Sequence, residues 1–461
     1  MEKEQKTLGK RQMKRQFDRY FYTTFFRLFA VVAMQSLIVF SVNLADSIML
    51  GSYSETAMSG VSLANQIQFL LQCLVNGVCS GLVVIASQYW GKQQTEPIKK
   101  VYAAALWAGA LISGLLAAAV LIAPNGVLGI LSNEEEIVAA GAEYIRVMGW
   151  TYLIFAVSNL LIALMRSVES VRIGFITSLL ALVVNISLNY LLIFGKAGFP
   201  ELGAVGAAWA TFAARVVELI AVAVYVFFID KKVRLKVKDA FRLEKDYARD
   251  FIKAGLPLIG SGGSWGVAMS VQTAIIGRLG AAAIGANAIA APVFQVVAVL
   301  YGSSGTASSV LIGKTVGEDD IPRVKKYTKK LQILYLLIGV LSAGLLLALK
   351  GSILGLYSVT DETRALAATF INILAVTVIG SAYEAPCLVG IVSGGGDTRF
   401  VLFNDLIFMW GLVLPLSFLS AFVFHWSIPV TFFILKADQI AKCFVAVVKV
   451  NRFRWIRRLT R

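Results

Sequence analysis

The chain has 461 residues, of which 58% are hydrophobic and only 15% charged, and its formal net charge is +16. Soluble domains carry about 25% charged residues, and a water-facing surface cannot be built from this much apolar side chain, so the expected solvent is hydrocarbon. The positive balance does not point to nucleic acid, because the basic residues stand in short clusters between long apolar runs rather than along one polar face.

Residues 1–27 read as a basic cytoplasmic tail, and Lys10 to Phe29 mixes cationic and aromatic residues as either an interfacial helix or a plain tail would. A basic stretch of this length ahead of the first apolar run argues against a cleavable signal peptide. A bilayer span takes about 20 apolar residues. Runs of that kind centre near 28–50, 61–88, 101–123, 143–165, 173–194 and 204–229, then near 251–276, 284–312, 331–349, 366–392, 400–424 and 428–448. The expected fold is therefore an all-α integral membrane protein of about twelve transmembrane helices in two pseudo-symmetric six-helix lobes, 28–229 and 251–450. A basic cytoplasmic linker, 230–250, joins the lobes, and a cytoplasmic tail, 451–461, follows them.

Loop charge fits this count. Lys10, Arg11, Lys14, Arg15 and Arg19 precede span 1, and Lys231, Lys232, Arg234, Lys236 and Lys238 follow span 6. Arg323, Lys325, Lys326, Lys329 and Lys330 follow span 8, and Arg452, Arg454, Arg457 and Arg458 follow span 12. The opposite loops are poor in Lys and Arg, and one reads Asn133-Glu134-Glu135-Glu136. Positive loops stay in the cytoplasm, so both termini are expected there. The two halves also repeat. A shift of 226 residues carries Gly51 onto Gly277, Ala57 onto Ala283, Val84 onto Val310 and Gly91 onto Gly317. Copies six spans apart share one orientation, and such pairs commonly enclose a cavity reached alternately from each side.

Several motifs have structural explanations. Gly313-Lys314-Thr315 imitates the end of a phosphate-binding loop, but Ser308 stands where its first glycine belongs and a membrane span, not a strand, precedes it. Gly77-x-x-x-Gly81 and Gly260-Ser261-Gly262-Gly263 are expected at close helix contacts, and Gly394-Gly395-Gly396-Asp397 at a tight turn. Cys73, Cys79, Cys387 and Cys443 lie in apolar runs without metal-ligand spacing. The single histidine, His425, and the absence of hydrolase motifs disfavour an enzyme. Pro292, Pro386 and Pro415 fall inside spans, where proline kinks a helix.

Polar residues inside spans carry the functional signal. A carboxylate near the bilayer midplane costs roughly 2.5–3.5 kcal/mol on insertion scales, so Asp46 in span 1 is a candidate for binding a proton or a small cation. Asn185 and Asn189 in span 5 are four apart and share a face. Arg215 and Glu218 in span 6 are spaced to pair. Glu384 and Asp405 are further intramembrane acids.

Asp46-Ser47-Ile48-Met49-Leu50-Gly51, Val184 to Asn189 with Leu192-Ile193-Phe194-Gly195, Leu202 to Thr211, Ile276 to Gly280 and Gly394 to Arg399, in this order, resemble the multidrug and toxic compound extrusion (MATE) transporters of the MOP flippase superfamily. The resemblance implies two six-helix lobes in a V. It also implies export of organic, often cationic, compounds against protons or sodium, with no other cofactor. The implied coupling site is Asp46, Asn185, Asn189 and Thr211. Gln272, Glu384, Asp405 and Trp265 are candidates for the substrate cavity or a second coupling site. Three positions depart from the family pattern: Asn189 where aspartate is frequent, Val31 where many members carry proline, and Trp265 near the place of a seventh-span acid. The expectation is a monomeric antiporter in a bacterial plasma membrane that binds small molecules and no nucleic acid. A flippase for a lipid-linked precursor or polar metabolite is the alternative; a cavity rich in Arg and Lys would favour it, and a receptor-like or scaffold protein ranks below both.

Overall fold

The structure, a computed structural model, describes residues 2–355, 357 and 359–461, with side chains from residue 18 onward. A chain in lipid must satisfy its backbone groups internally, and the described residues are accordingly almost all helical. The first six long helices are α1 (Glu2–Tyr53), α2 (Glu55–Gly91), α3 (Thr95–Ile122), α4 (Glu135–Ser167), α5 (Arg172–Ile193) and α6 (Gly203–Ile229). The second six are α7 (Lys245–Gly277), α8 (Ala281–Gly317), α9 (Ile321–Gly355), α10 (Asp361–Val392), α11 (Thr398–Val423) and α12, made of Ile428–Leu435 and Asp438–Asn451. Ten of the twelve are long and apolar enough to cross a membrane by length and composition alone. The other two have local reasons: α7 opens with charged residues and is rich in Gly and Ser, and α12 is interrupted at Lys436 and Ala437. Pro386 opens a π-helical turn in α10, and Pro415 stands between two such turns in α11.

The repeat read from the sequence is present in the packing. Within the first half α2 packs on α3 and α4, α3 on α4, α4 on α6, α1 on α5, and α5 on α6. Six helices later the same pairs recur: α8 on α9 and α10, α9 on α10, α10 on α12, α7 on α11, and α11 on α12. The lobes meet through α2 on α7 and its counterpart α8 on α1, with α2 and α8 crossing at the centre. That crossing is tight at the end bearing the basic loops. A Cβ at Gly317 would lie 2.0 Å from the Gln88 carbonyl, and one at Gly91 would lie 2.1 Å from that of Lys314. The repeat relates these two contacts. The Gly313-Lys314-Thr315 motif is thus a helix crossing, with Gly313 against Ser87 and the Lys314 ammonium 3.0 Å from Glu169. Gly77 and Gly81 fit against Leu258, Ile259 and Gly255 of α7, and Gly262 against the Cys73 carbonyl, as small-residue contacts do.

Toward the opposite end the two lobes have separate cores. One apolar core runs through the first lobe and into the basic ends of α8, α9 and α10, whereas the far half of the second lobe has its own core around Phe370, Phe432 and Val378. In its far half α2 exposes Ser62, Asn65 and Gln66, one face of which leads to Phe69, whose ring lies 5.8 Å from that of Trp265 on α7. Exposed amides at this depth belong in a water-filled cleft. Two expectations change. Helix α1 runs through residue 27 without a break, and Phe21, Phe25 and Leu28 are fully buried, Phe21 against Tyr327 of α9. This part of the segment packs on protein instead of lying on lipid; the side chains of Lys10, Arg11, Lys14 and Arg15 lie outside the described residues. The segment read as a plain C-terminal tail is also packed, with Trp455 fully buried.

Candidate ion and substrate sites

Helix α5 places Asn185 and Asn189 four residues apart on one buried face. Packing of α1 and α6 on α5 brings Asp46 and Thr211 to that face. The Asn189 amide donates to the Asp46 carboxylate and to Asn185 Oδ1 at 3.2 Å, and the Asn185 amide donates to Thr211 Oγ1 at 3.2 Å. The four residues named from the sequence thus form one hydrogen-bonded chain. Asn189 Oδ1 is buried and has no partner. An orphaned buried amide oxygen is costly, and here it belongs to the amide that holds the Asp46 carboxylate, in a cluster whose oxygen atoms suit a hard cation or a proton on Asp46. Two neighbours complete the site, Tyr144, which the sequence does not single out, and Arg215, whose spacing announces only its pairing with Glu218. Tyr144 of α4 is buried against Thr211. Arg215, 2.8 Å from Glu218 and 5.0 Å from the Phe155 ring, lies close enough to act electrostatically on Asp46.

The second lobe is built differently. Asp405 accepts from the Ser261 hydroxyl and from the Lys442 ammonium at 3.0 Å, and Lys442 also lies 3.4 Å from Asp438. Glu384 is buried within electrostatic reach of the same lysine. Glu384 and Asp405 therefore do converge, but around a cation that the chain itself supplies. Gln272 is set apart from them, with its oxygen 3.3 Å from the Lys436 ammonium and its amide donating to Met409 Sδ at 3.4 Å. Trp265, 44% exposed, joins neither group and meets Phe69 at a tilt across the seam between the lobes. The sequence hides Lys436, Asp438 and Lys442 because 428–448 reads as one apolar run; the four-residue spacing of Asp438 and Lys442 is the signal it offers.

A family model described as MatE matches residues 32–191 and 266–419, one segment in each half. The chain belongs to the MATE family. This makes it a multi-pass membrane transporter. It is 26% identical over 388 residues to the uncharacterized transporter YisQ of Bacillus subtilis, covering 83% of this chain and 84% of that one. It is 24% identical over 394 residues to the probable multidrug resistance protein NorM of Streptococcus pneumoniae, covering 85% and 86%. Among solved structures, a crystal structure of MATE in complex with MaL6 superposes with a TM-score of 0.84 at 16% identity, over 93% of this chain and 95% of that one. The outward-facing conformation of a multidrug resistance MATE family transporter superposes with a TM-score of 0.82 at 17% identity, again over 93% and 95%. At these identities the structural likeness shows the MATE fold.

Proposed function

We propose that this transporter exports organic compounds, often cationic, in exchange for protons or sodium ions by alternating access. The basic end is assigned to the cytoplasm by the distribution of Lys and Arg, so the conformation described opens outward. The observation that carries the reading is the unpartnered Asn189 oxygen beside Asp46, in a chain of oxygen ligands spread over three helices. An ion arriving from outside satisfies that oxygen and neutralises the carboxylate. Neutralisation weakens the hold of Asp46 on a cationic substrate and changes the hydrogen bonds that tie α1 to α5. The probable multidrug resistance proteins called NorM among its relatives support export as the direction. Driving force is ample, since one charge crossing the membrane is worth about 2.3 kcal/mol per 100 mV.

The test is ethidium transport by the purified protein in proteoliposomes under imposed proton or sodium gradients. One of the two gradients is expected to drive wild-type transport, and Asp46→Asn is expected to abolish the dependence. Undiminished, gradient-dependent transport by Asp46→Asn would remove Asp46 from the mechanism.

A further inference from the structure

The offset that superposes the halves carries Asp46 of α1 onto Gln272 of α7. The second lobe therefore holds a counterpart of the coupling site, built from α7, α11 and α12 in place of α1, α5 and α6. Its charge is reversed. Where the first lobe presents a carboxylate and oxygen atoms, the second presents Gln272, Met409 and the ammonium of Lys436.

Lys436 is 8% exposed and sits at the interruption of α12. Its ammonium lies 5.1 Å from the centre of the Phe294 ring and 6.0 Å from that of Phe432. No carboxylate comes within ion-pair distance among the described residues; Asp438, two positions on, is engaged by Lys442. Lysine is almost never buried without a pairing charge. Donors also outnumber acceptors here. An ammonium brings three N–H groups and an amide two, and the acceptors they meet are the Gln272 oxygen at 3.3 Å and a thioether, a weak acceptor. A buried excess of donors around a positive charge is matched by an anion, and the surrounding Phe294, Phe432 and Met409 suit an apolar body attached to it.

We infer that Lys436 and Gln272 bind the carboxylate, or an equivalent anionic group, of an amphipathic organic substrate. The inference rests on the proposed export function and adds to its substrates compounds that carry an anionic group, zwitterions included. A lipid headgroup offers the same anionic oxygens, so the lipid composition must be varied in the test.

The experiment measures fluorescence anisotropy of two dyes on the full-length protein in phosphatidylcholine nanodiscs. One dye is tetramethylrhodamine, which has a free carboxylate, and the other is its methyl ester. The wild type is expected to bind the carboxylate dye at least about tenfold more tightly, the scale of one hydrogen bond to a charged group. Lys436→Met is expected to erase that preference by weakening the carboxylate dye without weakening the ester, and Lys436→Arg to keep it. If Lys436→Met fails to fold, displacement of the carboxylate dye from the wild type by 2-naphthoate, but not by methyl 2-naphthoate, supports the same conclusion. Equal binding of the two dyes by the wild type, a preference that survives in Lys436→Met, or equal displacement by acid and ester would overturn it. So would a preference lost on replacing phosphatidylcholine with phosphatidylglycerol, which would give the site to lipid. Gradient-driven ethidium transport by Lys436→Met separates the two readings: its persistence leaves the antiport proposal intact even where the anion site fails.

Discussion

Lys442 is 5% exposed and faces Asp405, Asp438 and Glu384, which makes it the point where one side chain decides the state of several. Removing one partner of a buried pair typically costs about 3–5 kcal/mol, because the remaining charges stay buried without compensation. Lys442→Met is therefore expected to lower the melting temperature in detergent far more than Asp405→Asn, and the double variant Lys442→Met/Asp405→Asn to recover part of the loss. Equal, additive losses would mean that the lysine is not the common partner. At the basic end, Lys232 donates to the Val168 carbonyl at 2.6 Å and lies 5.6 Å from the Trp90 ring. Burial holds its amine below the usual lysine range. Between the folded and unfolded pKa values the unfolded chain then binds more protons, and this residue's contribution to stability rises with pH. The melting-point deficit of Lys232→Met should accordingly widen as pH is raised from neutrality toward the ordinary lysine pKa. A deficit that shrinks over that window would contradict the sign.

Among the helices, the α2–α8 crossing gives a matched pair of tests. A Cβ at Gly317 would collide with the Gln88 backbone, whereas nothing lies within 4 Å of one at Gly114 on α3. Overpacking typically costs about 1–3 kcal/mol, while Ala is preferred to Gly in a helix by about 1 kcal/mol. Gly317→Ala is thus expected to lower the melting temperature and Gly114→Ala to hold or raise it. The sequence announced Gly91 and Gly317 as repeat partners but not what they touch, because spacing carries no information about the facing helix. It did announce the first-lobe site, since a four-residue interval puts Asn185 and Asn189 on one face whatever else surrounds them. In the second lobe it announced Gln272, Glu384 and Asp405 but hid the α12 residues they meet. Averaged over 428–448, two lysines and an aspartate are diluted by apolar neighbours, and the interruption at Lys436 has no proline or glycine beside it to mark it.

At the scale of the whole molecule, the segment after Asn451 ties the two lobes together where the basic end is sealed. In the second lobe the Trp455 ring fills the space over Gly395, the Arg457 amide donates to the Gly395 carbonyl at 2.7 Å, and the Arg457 side chain lies 3.2 Å from Asp397. In the first lobe the Gln88 side chain of α2 receives the Leu459 amide at 2.9 Å and donates to the Arg457 carbonyl at 3.2 Å. Beyond it the Arg461 guanidinium reaches Asp250 at 2.7 Å and Asp246 at 2.9 Å, at the start of α7. Counting its charges gives only a basic tail; Trp455 and the contacts of Gln88 make it a strap. The alternating access proposed above requires the basic end to open, and the strap must then leave α2 or α10–α11. Ending the chain after Ile456 keeps Trp455 seated and removes the part that crosses to α2. Hydrogen–deuterium exchange is expected to rise in that variant over 86–92 and 313–319, the two sides of the seal, and to stay unchanged over the α5 segment that carries Asn185 and Asn189. Gln88→Ala should reproduce part of the rise. Unchanged exchange at the seal in the shortened protein would show that the glycine crossing closes the basic end without the strap.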